Sequence, residues 1–161
     1  MSNENLSQSD ERYLRQAIAI SQRSRNAGNH PFGALLVCAQ GTVLLEAENQ
    51  SRTEPDPTGH AERLVITKAS QLLGEKALTN ATLYSSAEPC AMCAGAAYWA
   101  GISRVVYGLS EARLKRLIGP HPENLTMNLP CRTVFAAGQR DIDVVGPALE
   151  ELALEAHQGF W

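Results

Sequence analysis

Apolar positions along this chain recur at two periods, and the alternation between them predicts the secondary structure. From Tyr13 through Leu14, Ala17 and Ile18 to Ser21, apolar and small side chains return every three or four residues, the spacing of one helix face. Ser9 or Asp10 is the expected cap of that helix and Gly28 its end. Two short runs follow, Gly33 to Cys38 and Thr42 to Glu46, and Ala39-Gln40-Gly41 between them reads as a hairpin turn. After the turn-rich Pro55-Asp56-Pro57-Thr58-Gly59, a second helix runs from near His60 to about Leu73. Thr82 to Ser85 predicts a strand that leads into a helix carrying Cys90 and Cys93, while Arg104 to Tyr107 and Ile142 to Val145 predict two further strands, each followed by helical sequence. Strand and helix alternation of this kind predicts an α/β fold, a central mixed sheet with helices on both faces. Neither internal repeats nor low-complexity segments break the pattern.

Composition narrows the picture. With 161 residues, 44% hydrophobic and 19% charged, the expectation is one domain over 1–161 with enough chain for a buried core. Met1 to Ser9 is polar and expected to be flexible. It lacks the basic start and apolar run of a secretion signal, and the longest mostly apolar stretch, around Cys90 to Ile102, is too short to span a bilayer. The expected location is therefore cytoplasmic, with no membrane partner. In that setting four cysteines argue for metal binding or free thiols over disulfides. Cys38 reads as a small core residue in an apolar strand and Cys131 as an ordinary thiol.

The chemistry concentrates in two short motifs, His60-Ala61-Glu62 and Pro89-Cys90-Ala91-Met92-Cys93. Together they offer one imidazole, two thiols and a carboxylate that is not needed as a ligand. Structural zinc sites close the tetrahedron with four protein ligands, whereas catalytic sites hold three and leave a position for water. His60, Cys90 and Cys93 are thus the candidate ligands of one Zn2+ per chain. Pro89 suits the start of a helix, where the positive field also favours thiolate formation, and would set Cys90 and Cys93 three apart on one face. Two thiolates neutralise the ion's formal charge, so a base must take the proton from its water; Glu62 is the carboxylate inside the motif and the candidate general acid/base. Residues two apart do not share a helix face, which requires the first turn of that helix to run along the edge of the site. A redox pair or a structural zinc knot would explain Cys90 and Cys93 alone, but not the ordered combination.

The segment Ser86-Ala87-Glu88-Pro89-Cys90-Ala91-Met92-Cys93-Ala94-Gly95-Ala96, with His60-Ala61-Glu62 and Pro31-Phe32-Gly33-Ala34, resembles the cytidine/deoxycytidylate deaminase superfamily. Within it, the similarity is to the branch of bacterial guanine deaminases and tRNA adenosine deaminases, and it runs from about Tyr13 to Gly108. The resemblance implies hydrolytic removal of an exocyclic amino group with release of ammonia. It also implies a three-layer αβα sandwich on a five-stranded mixed sheet, with the two zinc-bearing helices side by side, and a homodimer. Asn49 matches an asparagine that contacts the base in related guanine deaminases, although before Gln50-Ser51 it reads equally as a turn former. The backbone NH of Ala61 matches a contact to a substrate carbonyl. Trp99 resembles a pocket aromatic, though a lone aromatic on an apolar helix is more often core. Phe32 walls the pocket or merely anchors a loop. Glu88 accepts a hydrogen bond from a substrate amino group or bonds backbone amides at a helix start. The C-terminal aromatic that closes the pocket in similar enzymes corresponds to Trp161, with the competing reading that Phe160 and Trp161 anchor the last helix.

Two features separate the possible substrates. Guanine deaminases carry an acidic segment where this chain reads Leu114-Lys115-Arg116-Leu117-Ile118-Gly119-Pro120-His121-Pro122-Glu123-Asn124, with Glu123 a candidate replacement. A phosphate backbone requires clustered Lys and Arg, yet the chain has 14 basic against 17 acidic residues, a net charge of −3, and no Lys or Arg beyond Arg140. Arg113, Lys115 and Arg116 read as a solvated helix face. The reading is therefore a zinc-dependent hydrolase acting on a free amino-substituted nucleobase: guanine- or isoguanine-like, or cytosine or a triazine. A tRNA adenosine deaminase is the alternative and a non-catalytic zinc scaffold the third reading.

Overall fold

The structure, a computed structural model, describes residues 6–161. Helix α1 (Gln8–Asn26) starts at Ser7, whose hydroxyl accepts from the Asp10 amide while the Asp10 carboxylate accepts from the Ser7 amide. This reciprocal box satisfies two of the helix's free N–H groups and fixes the cap at Ser7, two residues before Ser9 and three before Asp10. Of the stretch expected to be flexible, residues 1–5 lie outside the described residues, and Ser7 to Ser9 belong to the cap and first turn.

Strands β1 (Gly33–Val37), β2 (Val43–Glu48), β3 (Thr82–Ala87), β4 (Arg104–Leu109) and β5 (Asp143–Val145) form one sheet in the order β2-β1-β3-β4-β5. β1 is antiparallel to both neighbours; β3, β4 and β5 are parallel. The mixed five-stranded sheet expected from the resemblance is therefore present. β1, β3 and β4 are the inner strands, and their nearly unbroken burial matches their runs of Leu, Val and Tyr. β2 is an edge strand and mostly half-exposed.

Each face of the sheet carries a helical layer. On one side α1, α5 (Glu111–Ile118) and α7 (Glu150–Leu154) bury Leu14, Ile18, Leu114 and Leu154 against Leu35, Tyr84 and Val106. On the other, α2 (Ala61–Leu73), α4 (Ala91–Trp99) and α6 (Cys131–Ala136) bury Val65, Ile66, Ala94, Ala97 and Phe135 against Leu36, Leu83 and Val105. A one-turn helix, α3 (Glu75–Leu78), follows α2. The alanines of α4 let α2 and α4 lie against one another, which brings the starts of both to the same end of the sheet.

Gly33 shows how tightly the layers close. A Cβ there would sit 2.6 Å from the Ala17 carbonyl oxygen and 2.6 Å from Ile20 Cβ, so α1 can approach β1 only because this side chain is absent. Cys38 is a correction: it lies past the end of β1 in the hairpin, half-buried, with its sulfur accepting from the Thr42 amide at 3.4 Å. Cys131 is fully buried in α6. Among the described residues no helix is long and apolar enough to cross a membrane.

Candidate active site

The site forms where β3 and β4 end and α2 and α4 begin, the crevice at strand carboxyl ends where α/β folds bind ligands. His60 is not the first residue of α2 but its N-cap, in extended backbone (φ −73°, ψ 145°). Cys90 is likewise the N-cap of α4 (φ −65°, ψ 173°), not a residue of its first turn, and Cys93 lies inside that helix. Both ligand-bearing caps thus leave their helices at an angle. That resolves the two-residue spacing of His60 and Glu62: an extended cap residue and the second helical residue can face one space, which two residues within a helix cannot.

The imidazole and the two sulfurs lie within 4.8 Å of one another. Nδ1 of His60 is 3.6 Å from Cys90 Sγ and 3.7 Å from Cys93 Sγ. Zinc bonds of about 2.0–2.1 Å to nitrogen and about 2.3 Å to sulfur, at a tetrahedral angle, separate such atoms by roughly 3.6 Å, so the donor set fits the ion. The protonation of the donors agrees. Cys93 donating to Cys90, with His60 also beside it, overcomes burial and lowers Cys90 to about 4. The same contact to Cys90, together with burial, drives Cys93 up. Two adjacent thiols that cannot both ionise alone are the arrangement a shared cation would stabilise.

Glu62 stands outside that three-residue group. It is 5% exposed, and its Oε1 accepts from the Ser85 hydroxyl at 3.0 Å. Burial raises its pKa, as expected of a carboxyl placed to exchange protons. Ser85, on β3, was missed in the sequence, where nothing distinguishes it from the neighbouring serine. The N–H groups of Ala61 and the next two residues open α2 and have no partner within the helix, so they can donate to a group outside it.

A cavity of about 230 Å3 adjoins this centre, lined among others by His30, Phe32, Arg52, His60, Glu62, Glu111, Leu114 and Glu123. Phe32 is half-buried in its wall. Asn49 is buried beside it, not in the lining, and its Oδ1 accepts from the Ser51 amide (2.9 Å) and hydroxyl (2.8 Å); the turn-forming role is the one observed. Glu88 lines the cavity, but Oε1 accepts from the Glu111 amide (3.0 Å) and Oε2 from the Cys131 amide (2.8 Å). Its carboxylate ties together the starts of α5 and α6, the backbone-bonding role expected of it. Trp99 is a plain correction: it is 86% exposed at the far end of α4, stacked edge-on with Tyr98, and reaches no part of this chain's cavity.

The C-terminal tail packs against two residues of the cavity lining, His30 and Phe32. The Trp161 ring lies 5.0 Å from His30, 6.3 Å from Phe32 and 5.3 Å from His121, and its indole N–H donates to His157 Nδ1 at 3.0 Å. Phe160 sits between the guanidinium groups of Arg25 (5.6 Å) and Arg52 (4.9 Å). Arg52 also forms a two-point ion pair with Glu123, at 3.0 and 2.7 Å, and His30 Nε2 is 3.5 Å from the same carboxylate. His30, Arg52 and His157 carried no sequence signal, because isolated charged and imidazole side chains in loops have no period.

The stretch 7–109 matches the cytidine and deoxycytidylate deaminase zinc-binding region. The chain belongs to this deaminase family. It is 40% identical to a probable cytosine deaminase of Schizosaccharomyces pombe over the whole of this chain and 98% of that protein. To the guanine deaminase of Bacillus subtilis it is 43% identical over 60% of this chain and 62% of that one. The solved Bacillus subtilis guanine deaminase superposes with a TM-score of 0.63 over 66% of this chain and 68% of that one, at 39% identity. A solved tRNA:A34 deaminase, which edits A to I at the wobble position, gives 0.67 over 91% and 99%, at 27% identity. The chain is accordingly a zinc-binding, hydrolytic deaminase with the cytidine deaminase-like fold.

Proposed function

We propose that this deaminase acts on a free amino-substituted nucleobase or a close heterocycle, with Glu62 as general acid/base and His60, Cys90 and Cys93 as the metal ligands. The observation that carries the reading is the buried Glu62 carboxylate, beside but outside the ligand group, in the lining of a small cavity. His60, Cys90 and Cys93 would hold a zinc ion, which when bound would supply acidity to a water molecule. Glu62 would take one proton from that water and pass it to the ring nitrogen as the water oxygen bonds to the amino-bearing carbon, then take the second proton from the same oxygen and pass it to the amine as the C–N bond breaks. The products are the carbonyl heterocycle and ammonia. Ser85 donates to Glu62 Oε1 and so fixes the carboxyl in place for this exchange. The Ala61 amide is placed to donate to a carbonyl of the base, and Phe32 and Trp161 supply flat apolar surface.

Purine-like bases and cytosine are both within this reading. The resemblance to guanine deaminases supports the first and the full-length similarity to a probable cytosine deaminase the second. Measuring ammonia release from guanine, isoguanine, cytosine, ammeline and the matching nucleosides tests it. Turnover of at least one free base with no inosine formed in an anticodon stem-loop supports it; inosine formation in the stem-loop alone overturns it.

A homodimer belongs to the same proposal. α2 and α4 run side by side from the metal site, and at their far ends Leu72 (71% exposed), Leu73 and Trp99 present apolar surface to solvent. Exposed side chains of that size at the ends of two neighbouring helices are what the dimer reading draws on. Sedimentation of the wild type and of Trp99→Glu tests it: a dimer that dissociates in the variant is the expected result.

A further inference from the structure

Four carboxylates line the cavity: Glu62, Glu88, Glu111 and Glu123. Three have protein donors. Ser85 bonds Glu62, two backbone amides occupy Glu88, and Arg52 with His30 occupies Glu123. Glu111 differs. It is the first residue of α5, half-buried, and among the described residues its carboxylate receives no hydrogen bond and no ion pair. Its backbone is nonetheless fixed, because its amide is the one that donates to Glu88 Oε1 and Ser110 caps the helix through the Arg113 amide at 3.2 Å. Arg113, the nearest cation on the same helix, is turned to Glu150 and Glu151 of α7. Burial, and then the negative charge of Cys90, Glu88 and Glu62, raises Glu111 to about 7. A carboxylate so placed gains most from a donor that arrives from outside the protein.

We propose that Glu111 is a specificity-determining residue that accepts a hydrogen bond from a second N–H group of the substrate, so that the site selects diamino heterocycles over bases with a single amino group. The proposal rests on the deaminase reading for the identity of the site, not for the recognition itself. Its chemistry follows from the lining. Arg52, the guanidinium of the cavity, is already paired with Glu123, which leaves an excess of acceptors facing the ligand. With the carboxyl ionised, as it is above about pH 7, a base whose far edge carries carbonyl oxygens meets Glu111 as acceptor against acceptor. A base whose far edge carries an amino group meets it with a charge-assisted hydrogen bond.

The experiment uses two ligand pairs that share one amidine and differ by one exocyclic amino group: 2,6-diaminopurine against adenine, and 2,4-diaminopyrimidine against 4-aminopyrimidine. Dissociation constants are measured by calorimetry for zinc-loaded wild type, Glu111→Ala and Glu111→Gln, and ammonia release is followed in parallel. Melting temperature and zinc content establish that each variant is folded and loaded. Wild type is expected to bind the diamino member of each pair at least tenfold more tightly. In Glu111→Ala the ratio should fall below threefold, and in Glu111→Gln, whose amide still offers an acceptor without the charge, to an intermediate value. Equal ratios in wild type and Glu111→Ala overturn the proposal, as does an equal loss of binding for both members, which would mark a structural role. Should the binding ratios behave as expected while no ammonia appears from any base, recognition by Glu111 stands and the deaminase reading fails.

Discussion

At the level of single residues, the division of labour between Glu62 and the three ligands is the most testable feature. Glu62 lies outside the group formed by His60, Cys90 and Cys93, so removing its carboxylate should leave the metal in place. Glu62→Ala is expected to keep about one zinc per chain, by atomic absorption, while turnover falls by roughly two to four orders of magnitude. Loss of zinc in that variant would falsify the assignment. Cys90→Ala should behave the other way, releasing metal and lowering the melting temperature, since part of the folding free energy is metal binding; an equally stable metal-free variant argues against that coupling. These residues were legible in the sequence because metal ligation needs particular atoms at particular spacings. Trp99, Asn49 and Glu88 were misplaced or ambiguous for the converse reason. Their side chains suit a base, but whether they face the cavity depends on where α4 ends, how the chain turns after β2, and which amides surround the end of β3.

Elements were legible where one face is buried over several turns or a whole strand, as in α1, α2 and the inner strands. Their ends were not, because caps depend on reciprocal bonds such as that of Ser7 with Asp10, and α3 and α6 are too short to show a period. The α1 cap has a further duty that no periodicity reveals. Asp10 is 3% exposed and receives two hydrogen bonds of 2.7 Å from Arg104 on β4 and one of 2.7 Å from the Tyr84 hydroxyl on β3. Burial alone would raise this carboxyl, but Arg104, Tyr84 and the Ser7 amide outweigh it and bring it from 3.8 to about 2. A pKa depressed in the folded state stabilises the fold at pH values above the unfolded value and ceases to do so as pH falls through the folded one. The contribution, on the order of 2 kcal/mol, should therefore be complete above about pH 4 and vanish toward pH 2. Urea denaturation of wild type and Asp10→Asn between pH 3 and pH 7 checks this. The gap between the two should be largest near neutrality and narrow as acid is added; a gap independent of pH would show that Asp10 acts through packing alone.

Across the whole molecule, three segments distant in sequence meet over the cavity. Arg52, in the loop after β2, holds Glu123 from the loop after α5 and faces Phe160 of the C-terminal tail. Arg25 of α1 donates to the carbonyls of Ala156 (2.9 Å) and Gln158 (2.6 Å) and so fixes the tail's approach. Trp161 then lies on His30 and near Phe32, two residues of the cavity wall, and bonds His157 of the same tail, so a covering and an anchoring role both remain to be separated. The charge of the whole chain fits a small ligand: at −3 it should bind tRNA weakly, and added salt should abolish what remains. Deleting Gly159-Phe160-Trp161 separates the two roles of the tail. As a cover, its loss removes stacking surface and admits water, so the Michaelis constant should rise and turnover fall while zinc content holds. A cover also limits ligand size, because a ribose attached to the base would collide with the indole. Full-length protein should thus prefer free bases to their nucleosides, and the truncated form should narrow that preference by roughly the loss of one aromatic contact, several-fold to tenfold. As an anchor, the tail would instead lower the melting temperature on removal and depress every substrate alike. Arg52→Gln gives an independent check without shortening the chain. It frees Glu123 and uncovers one face of Phe160 at once, so its free-base preference should move in the same direction as that of the truncation; an unchanged preference would mean that the tail covers the site without help from the Arg52 pair.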